Sequence, residues 1–414
     1  MPPLAFMDRA ERLGANVVFR GAHLDPTDGT RYRGATLNEW LRGYAVLRRV
    51  ANEAIETGSD AAARHLVRLD RTVLIERLCA AGVSDQGARS FIDGATYRAG
   101  SIDLFDTPLV RQGEHELLLI GPAAANTDGG RTLLSNLPNL GASLDHKGAL
   151  FENEVVAFFN NIGLNCYNPT RTILGETYQY DALVPWGKKL FLLECKNTAP
   201  SNLNPKIALD FHQRRVEDIR QVKRLVAGMR RHPALLTDDG GPDPTKLTIV
   251  PILLYAMPLA RRGTEDGVYS ADWSMIQRFF ERADLGIDSE FSTGEGREPL
   301  VHRQVTKRIW AGDRPSPEDL IRAVEDPWAL QLAVASTRFS WSYTSIAPYQ
   351  MARSPDYVTT PLSRSEVSKL YGLDEKRWGD ELRHTENRAA AIRKRNVDRA
   401  VLLATRRFRR ASRT

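Results

Sequence analysis

Cysteine is scarce in this chain: Cys79, Cys166 and Cys195 are the only three in 414 residues. They are too few and too scattered for a disulfide framework or a zinc site. Long apolar runs are missing as well. No stretch reaches the ~18 residues that a membrane span needs, so no membrane partner is expected. The opening segment MPPLAFMDRAERLG has no charged-then-apolar leader pattern, and a cytoplasmic location is the default expectation. The histidines show no metal-ligand spacing, and GGRTLLS lacks the P-loop pattern. No Gly-x-Ser-x-Gly or Cys/His pairing marks another class of hydrolase.

What is present divides unevenly. Hydrophobic content of 42% and charged content of 26% are those of a globular protein, and the length predicts two or three domains. The net charge of +6 resides in one place. Residues 383–414 hold eleven Lys/Arg and two Asp/Glu, a net of +9, which leaves −3 for the rest. We read an accessory domain over 1–144, mostly helical with a short β-hairpin, a catalytic module over 145–290, and a mostly helical region with a basic tail over 291–414. In the first part the patterns predict helices over 36–57, 61–69, 71–81 and 84–94. Val73, Leu74, Leu78 and Cys79 are the inward residues of the third. Short strands follow at 108–111 and 116–120, then a Gly/Asn/Pro-rich linker around 126–141. In the last part, 286–300 reads as a boundary and 347–365 as a loop. A basic helix over 383–410 carries a partial stripe of Ile392, Val397, Val401, Leu402 and Leu403.

The chemistry concentrates in YQYDALVPWGKKLFLLECKNT, residues 178–198. Alternation over 178–184, turn residues at 185–188 and strand formers over 189–196 predict a β-hairpin. With Val184 opposite Lys189, Asp181 faces Leu192 and Gln179 faces Glu194. Asp181 and Glu194 are then diagonal neighbours on one face, with backbones about 7–8 Å apart. Tyr180, Ala182, Val184, Phe191, Leu193 and Cys195 fall on the other, apolar face. Like carboxylates repel and raise each other's pKa, and a divalent cation removes that cost. Mg²⁺ commonly takes one or two carboxylates plus waters and substrate phosphate. Asp181 and Glu194 supply the carboxylates, the Cys195 carbonyl a third oxygen, and Lys196 orients or deprotonates water or stabilises the transition state. Gln179 is a supporting residue on the same face.

Around the hairpin the pattern predicts a helix over 148–161 and a strand over 166–173. A long helix covers 204–231. An apolar strand over 247–257 has Pro251 at a bulge or edge, and a strand at 268–270 and a helix over 271–282 follow. This αβββαβ order, with an acid on each hairpin strand and Glu-x-Lys on the second, resembles the PD-(D/E)XK, or restriction-endonuclease-like, nuclease superfamily. The resemblance covers about residues 146–290, and Tyr180 stands where the motif's name has Pro. It implies an α/β fold and a Mg²⁺-dependent endonuclease, with Mn²⁺ as a substitute. It also implies that Glu152 on the first helix is a further catalytic and metal-binding acid, and that a Gln of the long helix, Gln221 or Gln213, points to the site.

DNA is the favoured substrate by the same resemblance, and the flanking regions fit a multi-domain restriction or anti-phage defence enzyme. Arg214, Arg215, Lys223 and Arg224 on the long helix are candidate phosphate contacts; a solvated charged helix face gives the same pattern. Two rival readings remain open. One is a catalytically silent nucleic-acid-binding or assembly module that keeps the fold, the other an RNA-cleaving nuclease. A partner protein subunit and a homodimer are both compatible with the sequence.

Overall fold

The computed structural model describes residues 15–411 apart from 17, 28, 60–64, 102, 143–145, 199–204, 294–297, 311 and 348–349. It is a mixed α/β chain that divides into two compact units: 1–260 with 264–274, and 261–263 with 275–414. The expected boundary at 144/145 lies inside the first unit, between two hydrophobic cores. The second division falls at 260–275 and not at 290.

The first core is mainly helical. Helix α1 (Leu37–Thr57) starts at a capping box, Thr36 with Glu39, and buries Trp40, Leu41, Tyr44 and Leu47. Strand β1 (Leu66–Asp70) follows, where a helix over 61–69 was expected; residues 61–64 lie outside the described residues. Its alternating LVRLD pairs antiparallel with β3 (Glu116–Ile120), which also pairs β2 (Leu109–Arg111). Helix α2 (Arg71–Ala80) buries Leu74, Ile75 and Leu78. The expected inward Val73 and Cys79 are exposed, because the buried stripe lies one residue further round. Helix α3 (Asp85–Ala95) is capped by Ser84. The expected linker is in fact helix α4 (Gly129–Asn139), capped by Asp128 and buried through Leu133, Leu134 and Leu137. Its glycines permit close packing: a Cβ on Gly130 would press on Ala15 and Val18.

The second core is built on a five-stranded mixed sheet. Helix α5 (His146–Asn161) packs on the hairpin of β6 (Ala182–Trp186) and β7 (Lys189–Lys196). A separate ribbon, β4 (Thr170–Ile173) with β5 (Glu176–Gln179), precedes it. Helix α6 (Pro205–Arg231) leads to β8 (Thr248–Tyr255), then β9 (Thr264–Glu265), β10 (Val268–Asp272) and α7 (Trp273–Glu281). The sheet order is β9-β10-β8-β7-β6, with β8 parallel to both β7 and β10 and the outer pairs antiparallel.

Three expectations about the hairpin are corrected. Its register is Val184 opposite Phe191, two residues from the expected pairing, and Trp186 pairs Lys189. The turn is the two residues Gly187-Lys188, with Gly187 at φ 60; a glycine there makes a tight turn that matches strand twist. The chain also breaks at Tyr180-Asp181, so Gln179 pairs Thr170 on the separate ribbon and not Glu194. Because the register error is an even number, the parity of Asp181 and Glu194 survives. The face they share is no open surface, however. Leu183, Leu190 and Leu192 on it are covered by Ile219, Val222 and Leu225 of α6. Tyr180 turns to α6 too, donating its hydroxyl to the Leu225 carbonyl at 3.0 Å.

Pro251 lies in the central strand β8 without a bulge. Thr248 and Ala256 donate their N–H groups to the carbonyls of Lys188, just before β7, and Lys196, at its end, so the N–H groups of the odd-numbered residues turn toward β10. The β10 ladder begins at Ile252, and Pro251 therefore removes no sheet hydrogen bond.

In the second unit, β11 (Asp284–Phe291) and β12 (Leu300–Arg308) form a hairpin where a domain boundary was expected. Helices α8 (Pro317–Glu325) and α9 (Trp328–Ser336) follow. The expected loop at 347–365 holds strand β14 (Gln350–Thr359), paired with β13 (Thr337–Ala347). Helix α10 (Arg364–Tyr371) ends at Gly372, and α11 (Glu375–Ala411) is the basic helix. Within its predicted stripe Ile392 is half-buried; the side chains of Val397, Val401, Leu402 and Leu403 lie outside the described residues.

Candidate active site

Strand β6 begins at Ala182, opposite Leu193, so the end of β7 runs past its pairing. Cys195 consequently has no backbone partner for its N–H on that side. The Asp181 carboxylate takes the place: Oδ2 accepts the Cys195 N–H at 2.8 Å. This bond pins Asp181 beside Glu194, and both are buried, at 8% and 3% exposure.

Helix α6 completes the group from above the sheet. Gln221 donates from Nε2 to Glu194 Oε1 at 2.8 Å. Lys196 Nζ donates to the same oxygen at 3.0 Å and to Gln221 Oε1 at 3.2 Å. Lys196 Nζ also lies 3.2 Å from Asp218 Oδ1. The other Glu194 oxygen, Oε2, is buried and has no hydrogen-bond partner among the described residues.

The electrostatics follow from burial and crowding. Burial, then the charge of Glu194, push the Asp181 carboxyl up to about 7, against the Cys195 N–H and Lys196. Burial also raises Glu194, more than Lys196 lowers it. For Lys196, burial works against the ammonium, but Glu194 and Asp218 outweigh it and its pKa is raised. Lys196 is therefore a held cation at neutral pH, which suits charge stabilisation and not proton abstraction. Glu152 on α5 is half-buried and raised by burial, while Lys196 draws it down. It adds to the upward push on Asp181 and Glu194.

Asp181, Glu194, Lys196, Gln221 and the Cys195 backbone thus meet at one end of β7, with Glu152 within electrostatic reach. Among the described residues no three His, Cys, Asp or Glu side chains close into a group able to hold a metal ion. Gln213 is exposed, about two turns along α6 from Gln221. Gln179 is exposed on the β4–β5 ribbon, where its partner is Thr170.

The four cations predicted to touch phosphate fare unequally. Arg215 is buried, ion-paired with Glu265, and bonded to Ser270 Oγ at 3.2 Å; it is a packing residue between α6 and the β9–β10 edge. Lys223 pairs with Asp266 at 3.2 Å. Arg224 pairs with Glu176 at 3.0 Å and lies over the Tyr178 ring. Arg214 is exposed and, among the described residues, reaches only the Asp210 carbonyl, at 3.4 Å.

Asp218 is the residue that sequence reasoning missed. Its signal was present: it precedes Gln221 by three, so the two share a helix face, beside the buried Ile219 and Val222. Glu154, by contrast, serves packing. It accepts from the Trp273 indole at 2.6 Å and lies 3.0 Å from His23 Nδ1. Comparison with protein-family models, curated proteins and solved structures found no match to this chain.

Proposed function

We propose that the chain is a metal-dependent endonuclease that hydrolyses phosphodiester bonds in DNA on a restriction-endonuclease-like core. The observation that carries this reading is Glu194. One oxygen is fixed by Lys196 and Gln221, and the other is buried without a partner beside a second buried carboxylate. A buried unpaired carboxylate oxygen is costly, and a divalent cation is the group that satisfies it and offsets the repulsion with Asp181. Asp181, Glu194 and the Cys195 carbonyl are the donors that fit Mg²⁺, which accepts two carboxylates and completes its shell with water. Mn²⁺ would substitute at an all-oxygen site. When bound, the metal supplies Lewis-acid polarisation of the phosphate. Lys196 adds a fixed positive charge where negative charge develops on the phosphoryl oxygens. Gln221 and Asp218 set where that ammonium sits, and Glu152 fits a role through an intervening water.

The order of elements also supports the reading. Tyr167 bridges Leu183 antiparallel, and with that bridge as a short first strand, α5–Tyr167–β6–β7–α6–β8 runs αβββαβ. The β4–β5 ribbon is then an insertion.

The test is plasmid cleavage by the purified chain with Mg²⁺, Mn²⁺ or EDTA, beside Asp181→Ala, Lys196→Ala and Gln221→Ala. Cleavage should require metal and vanish in the first two. Gln221→Ala should cut roughly 10- to 100-fold more slowly, as changes next to metal ligands do. A silent scaffold would bind DNA in metal yet cut neither DNA nor RNA. Cutting at the normal rate by Asp181→Ala would place the chemistry elsewhere.

A further inference from the structure

The second unit contains a cleft of about 670 Å³ that has no part in the carboxylate site. Elements distant in sequence build it: Ile287 from β11, Leu332 from α9, Arg364 and Val367 from α10, and Trp378 and Leu382 from α11. Its walls are mostly apolar, and its size is that of small-molecule pockets, which span roughly 300–1,000 Å³.

Two polar groups in this lining have no protein partner among the described residues. Trp378 is 5% exposed, and its indole N–H is buried with no acceptor. Buried donors in folded proteins are almost always paired, so an unpaired one calls for an acceptor from outside. Arg364 has no ion pair among the described residues. The nearest acid on its helix, Glu366, already accepts the Ser363 cap bonds and pairs with Arg338 at 2.6 Å. Gly379 on α11 makes room for this arginine, since a Cβ there would run into the Arg364 guanidinium.

We propose that this cleft binds an apolar monocarboxylate, a ligand with a hydrocarbon chain or ring body and one anionic head. A carboxylate offers two acceptor oxygens, which suits the guanidinium fork and the indole N–H together. The apolar body lies against Ile287, Leu332, Val367 and Leu382. A neutral apolar ligand leaves Arg364 unpaired, and a small anion leaves the walls wet.

Calorimetric titration of the full chain with decanoate, below its micelle concentration, tests this. We expect saturable binding at one site, and binding of 1-decanol and acetate about tenfold or more weaker. Arg364→Gln should weaken decanoate by about tenfold, the loss of one hydrogen bond to a charged group. Trp378→Phe keeps the ring and loses the N–H, and should weaken it about threefold or more. Arg364 is exposed, so its variant folds and decides the matter even if the tryptophan variant does not. No saturation, equal decanoate affinity in wild type and Arg364→Gln, or tighter binding of the alcohol or of an apolar tripeptide would each overturn the proposal.

Discussion

Asp106 is a carboxyl group held almost completely out of water, at 2% exposure. Ser135 donates to it at 2.6 Å, but burial dominates and pushes its pKa up to about 7, with Asp103 adding to the rise. The unfolded chain releases that proton near the ordinary value of about 3.9. Between those two values the folded state holds a proton that the unfolded state does not, so the contribution to stability falls as pH rises from about 4 to 7 and is level above. Asp106→Asn keeps the shape and an acceptor for Ser135 without the charge. Melting curves at pH 5 and pH 8 should show the variant gaining on the wild type with rising pH, by on the order of a few kcal/mol; a constant difference would show that Asp106 does not titrate in this window. The candidate site was legible in the sequence for the opposite kind of reason. Asp181, Glu194 and Lys196 are fixed relative to each other by strand alternation, which survives an even register error. Asp218 and Gln221 reach the same point from a helix, and the rotation of a helix against a sheet is set by packing of Ile219, Val222 and Leu225 that no local pattern states.

Among the elements, Glu39 is shared by two helix starts. Its Oε2 accepts the Thr36 N–H at 2.8 Å, closing the box at the start of α1. Its Oε1 accepts the Ser84 N–H at 3.0 Å and the Ser84 hydroxyl at 2.5 Å, holding the residue that caps α3. Thr36→Ala removes one cap bond and should cost about 0.5–2 kcal/mol, the usual range for a lost N-cap. Glu39→Ala loosens both starts and removes the acceptor of both the Ser84 amide and its hydroxyl, so chemical denaturation should show a larger loss than Thr36→Ala gives. Equal losses would mean that the Ser84 contact adds nothing. Capped helices of this kind are visible in the sequence because cap and apolar stripe agree. The elements that differ from expectation lack that agreement. LVRLD is too short to separate a strand from a helix turn by period, and β3, its partner, lies some fifty residues on. Helix α4 is hidden by the Gly, Asn and Pro that elsewhere mark loops. Here Gly129 and Gly130 serve close packing against Leu41, Ala15 and Val18, and Pro138 sits in the last turn. The 347–365 stretch reads as loop because Pro355 and its serines and arginines give no alternation, yet backbone pairing with β13 makes it a strand.

At the scale of the whole molecule, the charge is concentrated at one end of the sequence while the site lies in the middle of it. Helix α11 is anchored through the buried Trp378 and Ala389 and through Asn396, which donates to the Thr293 carbonyl at 3.1 Å. Beyond Asn396 come six arginines and one aspartate, a net of +5, so a chain ending at Asn396 falls from +6 to +1. That cut removes charge while keeping Trp378, Ala389 and Asn396 as anchors. Cations that neutralise phosphates release counterions, and the salt dependence of binding counts them at roughly 0.9 per contact. If the tail holds nucleic acid, the shortened chain should bind duplex DNA more weakly, with a slope of log affinity against log salt shallower by about 3, the value for three or four lost contacts. Cleavage of a saturating plasmid should then continue at the full rate, since none of Asp181, Glu194 or Lys196 is disturbed. An unchanged slope would make the tail a solvated or partner-binding helix. It would also put the burden of DNA binding on the body of the chain, whose net charge outside 383–414 is −3. A body of that sign holds DNA only through local contacts or a divalent cation, and its affinity would then depend on metal more steeply than on monovalent salt.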